Sequence, residues 1–264
     1  MYNKAIPVLA AILLLGSAAA WYWWPRLAPS AAPPPPVTAP PAPEAAPEIA
    51  NPMPAADAGA TPLPALADSD SPFATALIAV PGAGGVRKFL RPENLIRHLV
   101  ATVDSLPRRR LAVDLRPLQP TGGTLTVSGG DEQATLDEHN TLRYGPLVAI
   151  LGSLDMRAVN SLYQHYYPLF QRAYQDLGYP QGYFNDRLVV AIDNLLATPK
   201  PTVPLALVRP KVFWEYADPD LETRSAGQKL MLRIGADNSA VVERKLRELR
   251  ALVATGASAA PANH

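Results

Sequence analysis

Fourteen of the 30 prolines in this chain fall between Pro25 and Pro64, a density that neither a helix nor a sheet interior accommodates. The run Pro33-Pro34-Pro35-Pro36 sits among alanines, with few charges and few large apolar side chains nearby. Such a sequence favours extended polyproline II and buries too little surface to fold. Residues 25–65 therefore read as a disordered spacer. About forty residues of ideal polyproline II span about 120 Å, whereas a flexible coil averages nearer 40 Å, and the interspersed alanines put the reach between those limits. A PxxP-type ligand is the other use of such a stretch, and no further feature here points to it.

Before the spacer, Ala5–Trp24 carries no charge and is apolar apart from Pro7, Gly16 and Ser17. A bilayer core of about 30 Å needs about 20 helical residues, so the segment is just long enough to span one. Pro7 falls in the first turn, where a missing N–H is tolerated. Trp21, Tyr22, Trp23 and Trp24 end the segment with the aromatic residues that favour a membrane–water interface. Lys4 and the α-amino group on one side, against Arg26 on the other, favour residues 1–4 in the cytoplasm and the rest of the chain outside. A cleaved signal peptide is the competing reading. Met1–Lys4 would be its n-region, Ile6–Leu15 its h-region and Ala18-Ala19-Ala20 its cleavage site. Both readings export the spacer and the domain behind it. The chain has no cysteine, so neither a lipid-bearing cysteine nor a disulfide is available.

The expected domain occupies residues 66–254, enough for a sizeable core, and residues 255–264 read as a loose tail. Over residues 70–264 there are 22 Lys and Arg against 19 Asp and Glu, a balance of +3 that gives no support for a nucleic-acid partner. Helical periodicity dominates. A short helix is expected from Ser71-Pro72 to about Val80, and one from Pro92 to Leu106 with Leu95, Ile96, Leu99, Val100 and Val103 inward. Thr124–Val127 and Gln133–Leu136, around Ser128-Gly129-Gly130-Asp131, read as a small hairpin. Further helices are expected at Pro146–Leu154, Met156–Leu177 (ended by Gly178), Asn185–Ala197 (capped by Asn185), Leu221–Ile234 and Asn238–Val253. In the last, Glu243, Arg244, Arg247 and Glu248 are expected to face solvent. Pro199, Pro201 and Pro204 break the chain in between. The class is mainly α with one small β-hairpin, behind a single transmembrane helix and a disordered spacer.

Tyrosine is the unusual content of the domain. Tyr163, Tyr167, Phe170 and Tyr174 share one helical stripe and read as core. Tyr166, Tyr179 and Tyr183 need not share it. With the loop Gly178–Gly182 they are candidates to line a groove for a peptide or a glycan, with Asn185, Asp186 and Arg187 as its polar wall. The plainer reading of Asn185-Asp186-Arg187 is a cap, a carboxylate at a helix start and an ion pair. Glu215, Asp218, Asp220 and Glu222 bracket Pro219. Two carboxylates in a cleft can do acid–base work on a glycan, while the plain reading is an acidic turn. Gly82-Ala83-Gly84-Gly85 lacks the Lys-Ser/Thr of a phosphate loop and reads as a turn. Arg108-Arg109-Arg110 reads as a solvated loop. Ser225 with Lys229 offers a Ser and a Lys at i+4, with nothing else of a hydrolase around them. His98, His139 and His165 are isolated, so metal ligation has no support, and no motif calls for a cofactor.

Three segments, Asn94–Arg108, Leu177–Pro199 and Tyr216–Gly235, resemble the bacterial family of domain of unknown function 3014. The resemblance extends from about Leu66 to Leu252. It implies a bacterial inner-membrane protein with a mostly periplasmic domain, and it brings no activity, cofactor or catalytic residue. The expected function is a non-catalytic envelope interaction or scaffold protein, in contact with the bilayer through residues 5–24 and with an envelope protein or peptidoglycan through its domain. The alternative is a glycan-binding or glycan-acting protein that uses the tyrosine loop and nearby carboxylates.

Overall fold

A computed structural model of the chain describes residues 48–53, 62–111, 113–130, 133–202 and 204–254. The expected anchor, with Trp21, Tyr22, Trp23 and Trp24, lies outside the described residues, as do most of the spacer and the tail. Among the described residues no helix is long and apolar enough to cross a membrane. They form eight α-helices and one small antiparallel sheet: α1 (Asp70–Ala79), α2 (Leu95–Ser105), β1 (Val127–Gly130), β2 (Gln133–Leu136), α3 (His139–Ser153), α4 (Met156–Asp176), α5 (Phe184–Leu196), β3 (Ala206–Val208), β4 (Glu215–Tyr216), α6 (Pro219–Glu222), α7 (Ala226–Arg233) and α8 (Ala236–Val253).

The main core lies between α1, α2, α4, α5 and the end of α8. The apolar face of α2 brings in Leu95, Ile96 and Val100, all essentially inaccessible. The α4 stripe brings in Tyr163, Phe170 and Tyr174, and Tyr166 is buried with them rather than lining a groove. The rings interlock. Phe73 of α1 meets Tyr166 and Phe170 edge-on at 5.1 and 5.7 Å, and Phe170 stacks on Phe184 of α5 at 5.6 Å. Each such ring contributes about 1.5–3 kcal/mol by leaving water, and the edge-on geometry adds to that. Burial pushes the Tyr163 hydroxyl well above its ordinary pKa, and that hydroxyl donates to Asn185 Oδ1 at 3.2 Å.

Several helix starts differ from the sequence expectation, and in each case a side-chain hydrogen bond to backbone marks the observed start. The α2 helix begins at Leu95 rather than Pro92. Asn94 sits in the left-handed region at φ 52°, and the Asp70 carboxylate accepts the amides of Asn94 and Leu95 at 2.6 and 2.8 Å. The α3 helix begins seven residues ahead of Pro146, which is exposed inside it. The wholly buried Asn140 explains the early start. Its amide donates to the carbonyls of Thr126 and Asp137, each at 2.7 Å, and its Oδ1 accepts from Thr126 N at 3.1 Å, so the helix is stapled to the strand-side chain. The helix expected over Leu221–Ile234 is two helices. Ser225 caps α7 by accepting from Gln228 N at 3.1 Å, and Asp218 caps α6 by accepting from Asp220 N at 2.8 Å.

The expected hairpin forms with Val127–Gly130, not Thr124–Val127, as its first strand, so Ser128, Gly129 and Gly130 pair with β2 instead of turning, and it is half of a larger element. The sheet has four strands in the order β1-β2-β3-β4, with Ala134 opposite Leu207 and Leu207 opposite Tyr216. Ala134, Leu207, Tyr216 and Leu232 form a second apolar cluster beneath it. The two added strands are three and two residues long and lie in a proline-broken stretch, too short for a period-two signal. In α8, Arg244, Arg247 and Glu248 are exposed as expected, but Glu243 is buried. It accepts from Lys200 Nζ at 2.8 Å and from Arg247 Nη2 at 2.9 Å.

Candidate functional site

The start of α5 is set by Gln171 of α4. Its Nε2 donates to the Gly182 carbonyl at 2.6 Å, and its Oε1 accepts from Phe184 N at 2.9 Å and from Tyr167 Oη at 3.1 Å. Gly178, at φ 114°, turns the chain out of α4 where a side chain would be strained. The helix therefore starts at Phe184, behind a half-buried Tyr183 as its N-cap residue. Asn185 lies inside the first turn and is not the cap.

The residues expected to share one polar wall go to separate partners. Arg187 turns to α2, where its Nε donates to Asp104 Oδ1 at 3.0 Å and its Nη2 donates to the Asp104 carbonyl. Arg108 reaches the same carboxylate at 2.8 Å and also donates to Tyr179 Oη, so it is not a free member of a solvated basic loop. The Tyr179 ring stacks on Tyr174 at 4.5 Å between centroids and 17° between planes. Asp104 is only 7 % exposed at the centre of this cluster, and two guanidinium groups satisfy it. Burial raises the pKa of Tyr174 beside it, and the Asp104 charge adds to that shift.

Asp186 does not pair with Arg187. Its carboxylate accepts backbone N–H groups from Ala50 and Asn51, at 3.2 and 2.6 Å, and the Asn51 side-chain amide at 3.0 Å. Asn185, 1 % exposed, donates to the carbonyls of Asn51 and Val253, each at 2.9 Å. Residues 48–53, inside the stretch read as a spacer, are thus seated on the start of α5.

The acidic turn packs elsewhere, on the second cluster with Tyr216 and Leu221. Glu222 accepts from Tyr216 N at 3.0 Å and from Lys229 Nζ at 2.6 Å, while Glu215, Asp218 and Asp220 are exposed. Ser225 and Lys229 have other partners, Asn194 and Glu222. Gly82 is a turn glycine at φ 87°, where a Cβ would lie 2.0 Å from the Ser153 carbonyl oxygen. A shallow cleft of about 570 Å³ lies between the start of α4 and the end of α8, lined by Leu154, Arg157, Lys245 and Glu248 among others and by none of the expected site residues. Among the described residues no three His, Cys, Asp or Glu side chains come together as metal ligands would.

Two features escaped the sequence reading. Asp104 sits inside an apolar helical stripe, and its i,i+4 spacing to Arg108 is the signal that marks it. The β3–β4 loop carries Val212 and Phe213 at 70 and 79 % exposure, with Arg209 donating to the Val212 carbonyl at 3.2 Å and lying 5.6 Å from the Trp214 ring centroid.

Comparison with known proteins adds one assignment. Neither the curated proteins nor the solved structures contain a match to this chain. The family model described as Protein of unknown function (DUF3014) matches residues 95–250, from the start of α2 to the last turn of α8. That match covers well over half of the sequence, and the chain belongs to this family.

Proposed function

We propose that this protein is anchored once in the bacterial inner membrane by Ala5–Trp24 and displays its helical domain in the periplasm as a non-catalytic interaction scaffold. The observation that supports an interaction role is the β3–β4 loop. A phenylalanine that is 79 % exposed, beside a valine that is 70 % exposed, gains little for the fold, because most of each stays in water. Apolar side chains presented together on a short loop, just after the basic residues Arg209 and Lys211, suit an envelope partner that covers them. The glycan-acting alternative has less support. Of its carboxylates, Asp186 is engaged by backbone amides and Glu215 lies exposed on β4, away from the tyrosine loop, and Tyr179 is stacked against Tyr174.

Site-specific photo-crosslinking in living cells tests the reading, with the reactive residue at Phe213 and a control at the exposed Arg244 of α8. A discrete protein or glycan adduct from position 213 alone is the expected result. Equal or no labelling at the two positions refutes the loop as the interaction surface. Protease treatment of intact and permeabilised spheroplasts tests the topology separately. Digestion of the domain in intact spheroplasts is expected, and protection until permeabilisation refutes the periplasmic placement.

A further inference from the structure

We propose that Asn185 and Asp186 form a recognition site for a short non-helical peptide, and that the chain's own segment Glu48–Met53 occupies it as a separable ligand in cis. Two adjacent residues read nearly every polar group of Asn51. Asp186 accepts its backbone N–H and its side-chain amide, and Asn185 donates to its carbonyl. Asp186 also accepts the Ala50 N–H. The segment is a short non-helical stretch that bends at Ala50 and Asn51. Asn51 and Met53 are half-buried, Glu48, Ile49, Ala50 and Pro52 are exposed, and Met53 packs against the main core.

The receiving side is preorganised. Asn185 is fixed from behind by the Val253 carbonyl and the Tyr163 hydroxyl, so one amide hydrogen is left to offer outward. Among the described residues, all the hydrogen-bond partners of Asp186 belong to Ala50 and Asn51, so this carboxylate serves the segment. The ligand side is suited to the site as well. Proline after asparagine disfavours the helical conformation at Asn51 and adds no N–H that needs a partner. Asn51 is also the one asparagine between Pro25 and Pro64. The ligand class is therefore a short non-helical peptide with two successive backbone N–H groups, the second on an asparagine that precedes proline. The spacer is held at residues 48–53, ahead of the point where the helical core begins.

The test uses the full chain with an affinity tag at its N-terminus. A specific protease site is inserted between Pro54 and Thr61, so that cleavage turns the segment into part of a separate fragment. In the control the site is inserted between Ala42 and Ala46, ahead of the segment. After cleavage at the first site the domain fragment is expected to stay with the tagged fragment. In the control it is expected to wash away. A synthetic peptide of residues 46–54 in excess should speed release of the domain cut at the first site. Asp186→Ala should speed it by about tenfold or more, since charge-assisted hydrogen bonds to two backbone amides are lost. Far-ultraviolet circular dichroism checks that this variant stays folded, and hydrogen exchange of the Ala50 and Asn51 amides in the uncut chain gives a second reading. Separation as fast as in the control, release unchanged by Asp186→Ala, or unfolding of the domain on cleavage would each overturn the proposal.

Discussion

Replacing Asp104 with alanine tests whether the ionic cluster between α2 and α5 holds the domain together. Removing one member of a buried ion pair costs about 3–5 kcal/mol, because the other charge is left without a partner in a poor solvent. Two features of this site lower that figure. The Arg187 side chain is 21 % exposed, so water can reach part of the guanidinium. Arg187 and Arg108 also donate to the Asp104 backbone carbonyl, which alanine retains. The expected loss is therefore about 2–3 kcal/mol. Arg108→Ala should lose no more than about 1 kcal/mol, since that side chain is half exposed and Asp104 keeps Arg187. Urea unfolding followed by circular dichroism gives both values from the midpoints. The double variant Asp104→Ala with Arg187→Ala should be less destabilised than the sum of its singles by about 1 kcal/mol or more. A loss below about 1 kcal/mol for Asp104→Ala, or strict additivity with Arg187→Ala, would refute the reasoning.

Gly227→Ala should lower stability although alanine is the better helix former by about 1 kcal/mol, because the new Cβ would lie 2.6 Å from Leu195 Cδ2 and 3.0 Å from the Leu106 carbonyl oxygen. The net loss of about 1–2 kcal/mol should appear as a fall of several degrees in Tm by calorimetry, and an unchanged or higher Tm would contradict the close approach of α7 to α2. Burial opposes ionisation of Glu243, but its hydrogen bonds from Lys200 and Arg247 outweigh that and hold its pKa below the ordinary glutamate value. A depressed folded-state pKa gives stability that is present above the unfolded value and lost as pH falls through the folded one. The stability gap between the native chain and Glu243→Gln should thus be widest near neutral pH and close in acid, and a gap independent of pH would remove the role assigned to those partners.

Much of the helical frame was legible because its signals are local. Leu95, Ile96 and Val100 recur at helical spacing, Gly178 follows α4 and ends it, and Leu188, Ile192 and Leu195 repeat along α5. What was not legible depends on residues far apart in sequence. Asp70 caps α2 from 24 residues away, and Asn140 starts α3 by gripping Thr126. Strands of two and three residues exist only because Leu207 finds Ala134 on one side and Tyr216 on the other. The candidate site divides in the same way. The tyrosine stripe and the carboxylate at the head of α5 stand out in the sequence, whereas their partners do not. Nothing local says that Arg187 will choose Asp104, or that Asp186 will reach back to Asn51 across 135 positions.

The amide nitrogen of Asn185 touches the carbonyls of both Asn51 and Val253. Those residues lie near the first and last of the described fold, so the path of the backbone closes almost into a ring at one buried side chain. A circular permutant that joins the two ends needs only a short connector, with new termini opened in an exposed turn such as Pro210–Phe213. Any module fused after Ala254 emerges beside the point where residues 48–53 enter the fold.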